Sequence, residues 1–556
     1  MRTRCRPRLN SARRITRCGV PILAMLLGIS IESSAQACEA PRVETGSGEV
    51  CGKQVSTQDP KSVVHAYLGI PFAAAPVNEK RFHPPIPRKP WTKVLQATSF
   101  GPACPQELPP GVSVPLSEDC LSLNVWTPDT AERLPVMVFL HGGSFIRGGS
   151  AVPTYEGTAL AAGGPVVVVT LNYRLGALGF LGGLEQGDGN YGILDQQLAL
   201  RWVQENIAAF GGDPGKVTLF GQESGAMSVG IHLAAPSSQT LFRAAIEESN
   251  PYALPYKTAL QARADALEFA QRLGCTNAKT ARACLQGRSW QEILAAQAKS
   301  RFGESLLLGL SRLLAWSPIV DNPPLKGQPN ELAIEKPAIL GTVVNEGTFF
   351  LAEQEAHIGP LDEARYIRET DFAFAPRGQA IRTLYETFEK GDIRSKLSRI
   401  VTDDVFTCAN RLMLTSAQAP VWGFRFSHVP SFPVQPAIPA CAPEGAKICD
   451  GAELPFVFGN PISPQFGAKR ASFTDAEKKL SQEMIRLWTG FSAQLSPPTT
   501  TPAWAPFTLD DPFWMLIHEP LTKTRDLTAG CRFWDVLGYD RTNALDGLYR
   551  ARASAP

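Results

Sequence analysis

Histidine is scarce in this chain, with seven in 556 residues, so chemistry that needs an imidazole base has few places to reside. An excess of one charge sign is also missing. The 54 Lys and Arg against 52 Asp and Glu leave a formal net charge of +2, and no basic stripe follows the first residues. Nucleic acid is thereby disfavoured as a partner, and a small molecule is the expected one. Paired C-x-x-C knuckles of a zinc site are lacking. No internal repeat occurs, and the only biased stretch, SPPTTTP at 496–502, is too short to separate domains. The apolar run from Val20 to Ile31 is too short to span a bilayer. No integral membrane span is expected in the mature chain, and the oligomeric state is left open.

What is present begins with an export pattern. Seven arginines occur by Arg17, an apolar run follows, and Ala35-Gln36-Ala37 offers a small-x-small cleavage site. Residues 1–37 therefore read as a signal peptide, and 38–556 as the mature chain of a periplasmic or secreted protein. Ten of the twelve cysteines lie in the mature part, an even number suited to disulfides in an oxidising compartment. Spacing offers Cys38 with Cys51, Cys104 with Cys120, Cys275 with Cys284, Cys441 with Cys449 and Cys408 with Cys531, without fixing the connectivity.

The hydrophobic pattern is that of an α/β protein. PVMVFL (135–140), PVVVVTL (165–171), VTLF (217–220), AILGTVV (338–344) and VWGFRF (421–426) are apolar runs without alternation, as expected of strands buried on both faces. Between the second and third, GILDQQLALRWVQENIAAF (192–210) has apolar residues near helical spacing. Thr474 and Glu477 form a possible capping box before Leu480, Met484, Leu487, Trp488 and Phe491. Residues 255 to about 330 read as a helical excursion over the carboxyl edge of the sheet. Strands alternating with helices argue for one large domain over 38–556, built on a mostly parallel sheet flanked by helices.

The stretch VTLFGQESGAMSVG (217–230) has the strand-turn-helix form of a nucleophile elbow, G-x-S-x-G. Gly221 and Gly225 hold the glycine positions, but Glu223 stands where serine is expected and Ser224 follows one place late.

Several segments in order resemble the type-B carboxylesterases, the family that includes cholinesterases and their non-catalytic adhesion relatives. They are YLGIPFAAAPV (67–77), SEDCLSLNVWTP (117–128), HGGSF (141–145), LNYRLGALGFL (171–181), GNYGILDQQLALRWVQENIAAFGGDP (189–214), NEGTFF (345–350), ELPFVFG (453–459) and CRFWD (531–535). The resemblance implies an α/β-hydrolase fold and the Cys104–Cys120, Cys275–Cys284 and Cys408–Cys531 bridges. It makes His141-Gly142-Gly143 the oxyanion loop, so the amides of Gly142, Gly143 and Ser224 are the implied oxyanion donors. Glu346 matches the triad acid. Asp450 stands where the family carries its histidine, and none of the seven histidines offers an obvious substitute.

Three readings follow. Ser224 could act as a shifted nucleophile, but it lacks a histidine base and sits where the small, amide-donating residue belongs. The chain could be an inactive binding protein on an esterase fold. Or Glu223 and Asp450, backed by Glu346, could form a carboxylate acid/base or nucleophilic centre acting on a small ester-like molecule. Acids at both altered positions favour the third. No cofactor is expected; a divalent cation held by the three acids is the weaker alternative. Glu453, Asp404 and Ser249 are expected to belong to a buried polar network. Gln222 stands where the resembling family often has another acid, so that its neutral amide avoids a fourth charge, and Arg174 is a candidate partner able to lock Glu223.

Overall fold

The computed structural model describes Cys38 and residues 41–539, apart from 58–61, 130–131, 186, 299–315, 329–330, 332–333 and 526–529. The expected signal at 1–37 lies outside the described residues. The chain forms two units, Met1–Glu39 and Ala40–Pro556, and the second carries everything described below.

Fourteen strands are described: β1 (Arg42–Thr45), β2 (Gly48–Cys51), β3 (Lys53–Ser56), β4 (Val63–Pro71), β5 (Leu95–Gln96), β6 (Ser122–Pro128), β7 (Leu134–Leu140), β8 (Val167–Leu171), β9 (Gly212–Gln222), β10 (Ala244–Glu248), β11 (Ala338–Val343), β12 (Val421–Phe426), β13 (Trp514–Ile517) and β14 (Thr522–Thr524). Eleven form one sheet in the order β14-β13-β12-β11-β10-β9-β7-β8-β6-β4-β3. From β8 through β7, β9, β10, β11 and β12 to β13 neighbouring strands run parallel, whereas β6, β4, β3 and β14 pair antiparallel at the two sides. β1, β2 and β5 make a separate small sheet.

The five runs without alternation are all central strands, and β8, β11 and β12 are buried along their whole length. Successive side chains point to opposite faces. Thus Val136, Val138 and Leu140 of β7 enter one core cluster while Met137 and Phe139 enter the other. Burying each such side chain contributes about 1.5–3 kcal/mol, so a strand apolar on both faces has no stable place except the middle of a covered sheet.

The helical reading of 192–210 is met by a helix over Tyr191–Asn206 and a 3-10 turn over Ile207–Phe210. Thr474 and Glu477 close the expected capping box on the helix Asp475–Gln494. In the excursion, helices span Ala259–Arg272, Ala281–Gln286 and Trp290–Ala298, and Gln297 reaches the cavity described below. Disulfides join Cys104–Cys120, Cys275–Cys284, Cys408–Cys531 and Cys441–Cys449. Among the described residues no helix is long and apolar enough to cross a membrane. These bridges and that observation are compatible with export.

Candidate active site

The parallel strands deliver the site at their carboxyl ends, where open α/β sheets gather their ligands. β7 runs into the loop His141–Gly148, β9 into Glu223, β10 into Ser249, β11 into Glu346, and the chain beyond β12 returns Asp450. Helix Ser224–Ala234 begins immediately after Glu223, whose φ of 53° and ψ of −117° form the sharp turn. This conformation is costly for any residue with a side chain. The two elbow glycines make it feasible, since a Cβ on Gly225 would lie 2.0 Å from the Leu140 carbonyl oxygen and one on Gly221 2.6 Å from the Gly225 carbonyl carbon.

The extra length of glutamate carries its carboxylate into the oxyanion loop. The amides of Gly143 and Ser144 donate to Glu223 Oε2 at 2.8 and 2.7 Å, and the Ser144 hydroxyl donates to Oε1 at 3.1 Å. Positive φ values at Gly143, Ser144 and Phe145, of 115°, 53° and 59°, turn this loop toward the elbow. A Cβ on Gly142 would meet Gln222 Oε1 at 2.7 Å and Glu223 Cβ at 3.3 Å, so its lack of a side chain permits the close approach. Two amide hydrogens on Oε2 and a hydroxyl on Oε1 are the donors that a carboxylate accepts from.

Asp450 has a contrasting environment. Gln222 Nε2 donates to its Oδ1 at 2.7 Å, and its carboxyl lies beside that of Glu346. Two neighbouring buried carboxyls disfavour being ionised together. Burial first, then the charges of Glu346, Glu223 and Glu453, hold Asp450 well above the usual carboxylate range. Burial likewise pushes Glu346 up to about 7, against the lowering effects of Ser249, the Val343 amide and the charge of Arg425. The Val343 N–H donates to Glu346 Oε1 at 2.8 Å.

Behind this pair lie two further acids. Glu453 is fully buried and neither of its carboxyl oxygens has a hydrogen-bond partner, and burial followed by the charges of Glu248 and Glu346 raises it well above the ordinary range. Glu248 accepts from Trp488 Nε1 at 2.7 Å and is pushed by burial to about 8. A buried carboxyl with few donors keeps its proton, so this side of the site is a store of neutral acids.

Glu223 and Asp450 border a cavity of about 600 Å³. Leu108, Ile146, Phe349, Ile438 and Phe466 give it apolar walls, and Gln435, Gln465, Tyr155 and Arg147 supply polar groups. Arg147 Nη2 pairs with Glu353 Oε1 at 2.6 Å, tying the oxyanion loop to the helix Glu346–Ile358. Among the described residues no group of three or more His, Cys, Asp or Glu is placed to hold a metal ion.

The structure thus brings Glu223, Asp450 and Glu346 together as their positions in the sequence suggested. Of the three implied oxyanion donors, only Gly143 donates to Glu223; Ser144 supplies the second amide and a hydroxyl, while Gly142 and Ser224 give no hydrogen bond to the carboxylate. Gly142 instead allows the close approach, and Ser224 is already turned into the helix. The Ser224 hydroxyl is fully buried without a partner and does not line the cavity. Arg174 does not lock Glu223; its guanidinium binds Asp195 at 2.7 and 2.8 Å and the His83 carbonyl at 2.8 Å. Gln222 bonds Asp450, while the Ser249 hydroxyl is buried without a hydrogen-bond partner among the described residues. Asp404 lies instead in the π-helical turn Thr402–Thr407. Among the described residues no histidine lines the cavity. His141 stacks on Tyr173 and burial lowers it to about 4, while His232 is enclosed by Ser238 and Gln196. Sequence reasoning passed over Arg147 and Tyr155, and its one signal for Ser144 was a hydroxyl where the resembling family often has a third glycine.

A sequence model described as the carboxylesterase family matches residues 39–534. The para-nitrobenzyl esterase of Bacillus subtilis (strain 168) is 36% identical over 488 residues, covering 83% of this chain and 93% of its own. The acetylcholinesterase of Bungarus fasciatus is 32% identical over 556 aligned residues, covering 92% and 88%, and the acylcarnitine hydrolase of Rattus norvegicus 32% over 542, covering 92% and 93%. These similarities support an ester-hydrolase-type function, and together with the eleven-stranded sheet they assign the fold: the chain belongs to the carboxylesterase family, with an α/β-hydrolase architecture.

Proposed function

We propose that this is an exported hydrolase in which the Ser-His acyl-transfer mechanism is replaced by a carboxylate one, with Glu223 as nucleophile and Asp450, backed by Glu346, as acid and base. The observation that carries the reading is the seat of Glu223 Oε2 on the Gly143 and Ser144 amides. An oxyanion site filled by the protein's own carboxylate does not serve a substrate carbonyl. It does serve the ester formed when Glu223 Oε1 attacks a saturated carbon, because Oε2 then becomes the ester's carbonyl oxygen.

The proposed cycle starts with Oε1 bonding to an electrophilic carbon of an epoxide or alkyl ester while the carbon–oxygen bond breaks. The departing oxygen takes the proton of Asp450. The Asp450 carboxylate, disfavoured beside Glu346 and Glu453, then removes a proton from water, whose oxygen adds to the glutamyl ester carbonyl over the two amides. Collapse passes a proton through Asp450 to the alcohol oxygen, and the regenerated glutamic acid returns its own proton to Asp450. The substrate class is a neutral organic molecule sized to the cavity of about 600 Å³.

Oxygen labelling tests this. With enzyme in excess and water enriched in oxygen-18, the first turnover should give unlabelled alcohol and place the label in the peptide containing Glu223. Label in the acid product with an unlabelled Glu223 peptide would mean ordinary acyl cleavage. No turnover of aryl esters, lactones or epoxides would favour the binding protein reading.

A further inference from the structure

Tyr155 ends the 3-10 turn Pro153–Tyr155 and is 3% exposed. Its ring is fixed against Phe139 and Phe458, with centroids 4.8 and 5.6 Å away. Of the other buried phenols, Tyr173 donates to the His141 carbonyl at 2.6 Å and Tyr256 to that of Met227 at 3.2 Å, while the hydroxyls of Tyr191 and Tyr366 are buried without a partner but face no part of the cavity. Among the described residues the Tyr155 hydroxyl has no partner, and the side chain lines the cavity together with Glu223, Asp450 and Gln222. A buried phenol normally satisfies its O–H, and leaving such a donor unmade costs more than the average hydrogen bond contributes. The missing partner therefore belongs in the cavity.

The surrounding charges decide which role the hydroxyl can take. Burial, then Asp450, Glu453, Glu223 and Glu248, push the phenol above its ordinary range, so it keeps its proton and serves as a donor, not as a base. Its acidic neighbours also disfavour an anionic ligand at this point, whereas a neutral acceptor oxygen is suited to it.

We infer that Tyr155 is a substrate-binding and catalytic hydrogen-bond donor: the cavity takes a neutral organic ligand whose ether, epoxide or carbonyl oxygen accepts from the Tyr155 hydroxyl. The catalytic part rests on the proposed function. There Tyr155 steadies the departing oxygen while its own O–H bond stays intact and Asp450 supplies the proton.

Tyr155→Phe keeps the ring and its packing, which makes it the variant to use. Acetophenone serves as an unreactive probe, read by the infrared stretch of its carbonyl in wild type, Tyr155→Phe and Glu223→Gln. The expected result is a red shift in wild type and Glu223→Gln that is lost in Tyr155→Phe. No shift in wild type, or the same shift in Tyr155→Phe, overturns the inference. In turnover, Tyr155→Phe should lower kcat by roughly 10²-fold on poor leaving groups and much less on good ones; equal loss on both would remove the catalytic role. The probe shift persisting while Glu223→Gln retains full turnover would refute the carboxylate mechanism alone and leave the acceptor site standing.

Discussion

Glu223 and Asp450 are almost equally buried, at 4% and 5% exposure, and face the same cavity, yet their surroundings are opposite in kind. Two amides and a hydroxyl converge on Glu223, and the charge of Arg147 also reaches it. Asp450 has one neutral amide donor and otherwise faces acids, so it keeps a proton. Burial alone therefore does not set the protonation state of a carboxyl; the donors around it do. The proposed chemistry needs both halves, an ionised nucleophile beside a protonated acid.

The sharpest way to break this contrast is Glu223→Gln. It preserves shape but puts an amide in the cradle and removes the nucleophile, so turnover should fall by roughly 10⁴-fold or more in single-turnover kinetics. Retention of activity would end the carboxylate mechanism. Next is the frame that holds Glu223 in place. Gly225→Ala drives a Cβ to 2.0 Å from the Leu140 oxygen, and chemical denaturation should show a loss of about 3–5 kcal/mol.

A smaller effect isolates the acid side. Glu346 and Glu248 are pushed up to about 7 and 8, so the folded chain binds their protons more tightly than the unfolded chain does. Their contribution is full below the unfolded value near 4.5 and is lost as pH rises through 7 to 8. Denaturation midpoints measured between pH 5 and 9 should fall, and Asp450→Asn should flatten that fall. Midpoints that rise with pH would contradict the assignment of neutral acids. The smallest change expected is Ser224→Ala, which removes a buried hydroxyl without a partner. Stability should stay within about 0.5 kcal/mol and turnover should be nearly unchanged; its abolition would restore Ser224 as nucleophile.

Much of the frame was legible because its signals are local. An apolar run without alternation can be stable only inside a covered sheet, and Thr474 with Glu477 caps a helix within three residues. The replaced elbow and histidine positions were legible as well, since each lies in a short motif between recognisable elements. The cradle of Glu223 was not. Its donors stand 80 and 79 residues away, and one is a serine whose hydroxyl gives no sequence signal of its target. Arg174 was misread for the same reason: a cation near the oxyanion loop in sequence proved to be committed to Asp195.

By itself the sequence determined the parallel sheet, the glycine-framed turn that carries Glu223, and the presence of acids at 223, 346 and 450, because these depend on residue type and short-range spacing. Only the tertiary structure decided which acid receives donors. That outcome depends on amides and a hydroxyl converging on Glu223 from a distant loop, on a single indole donor at Glu248 and on none at Glu453 among the described residues, and it is not written in any one segment.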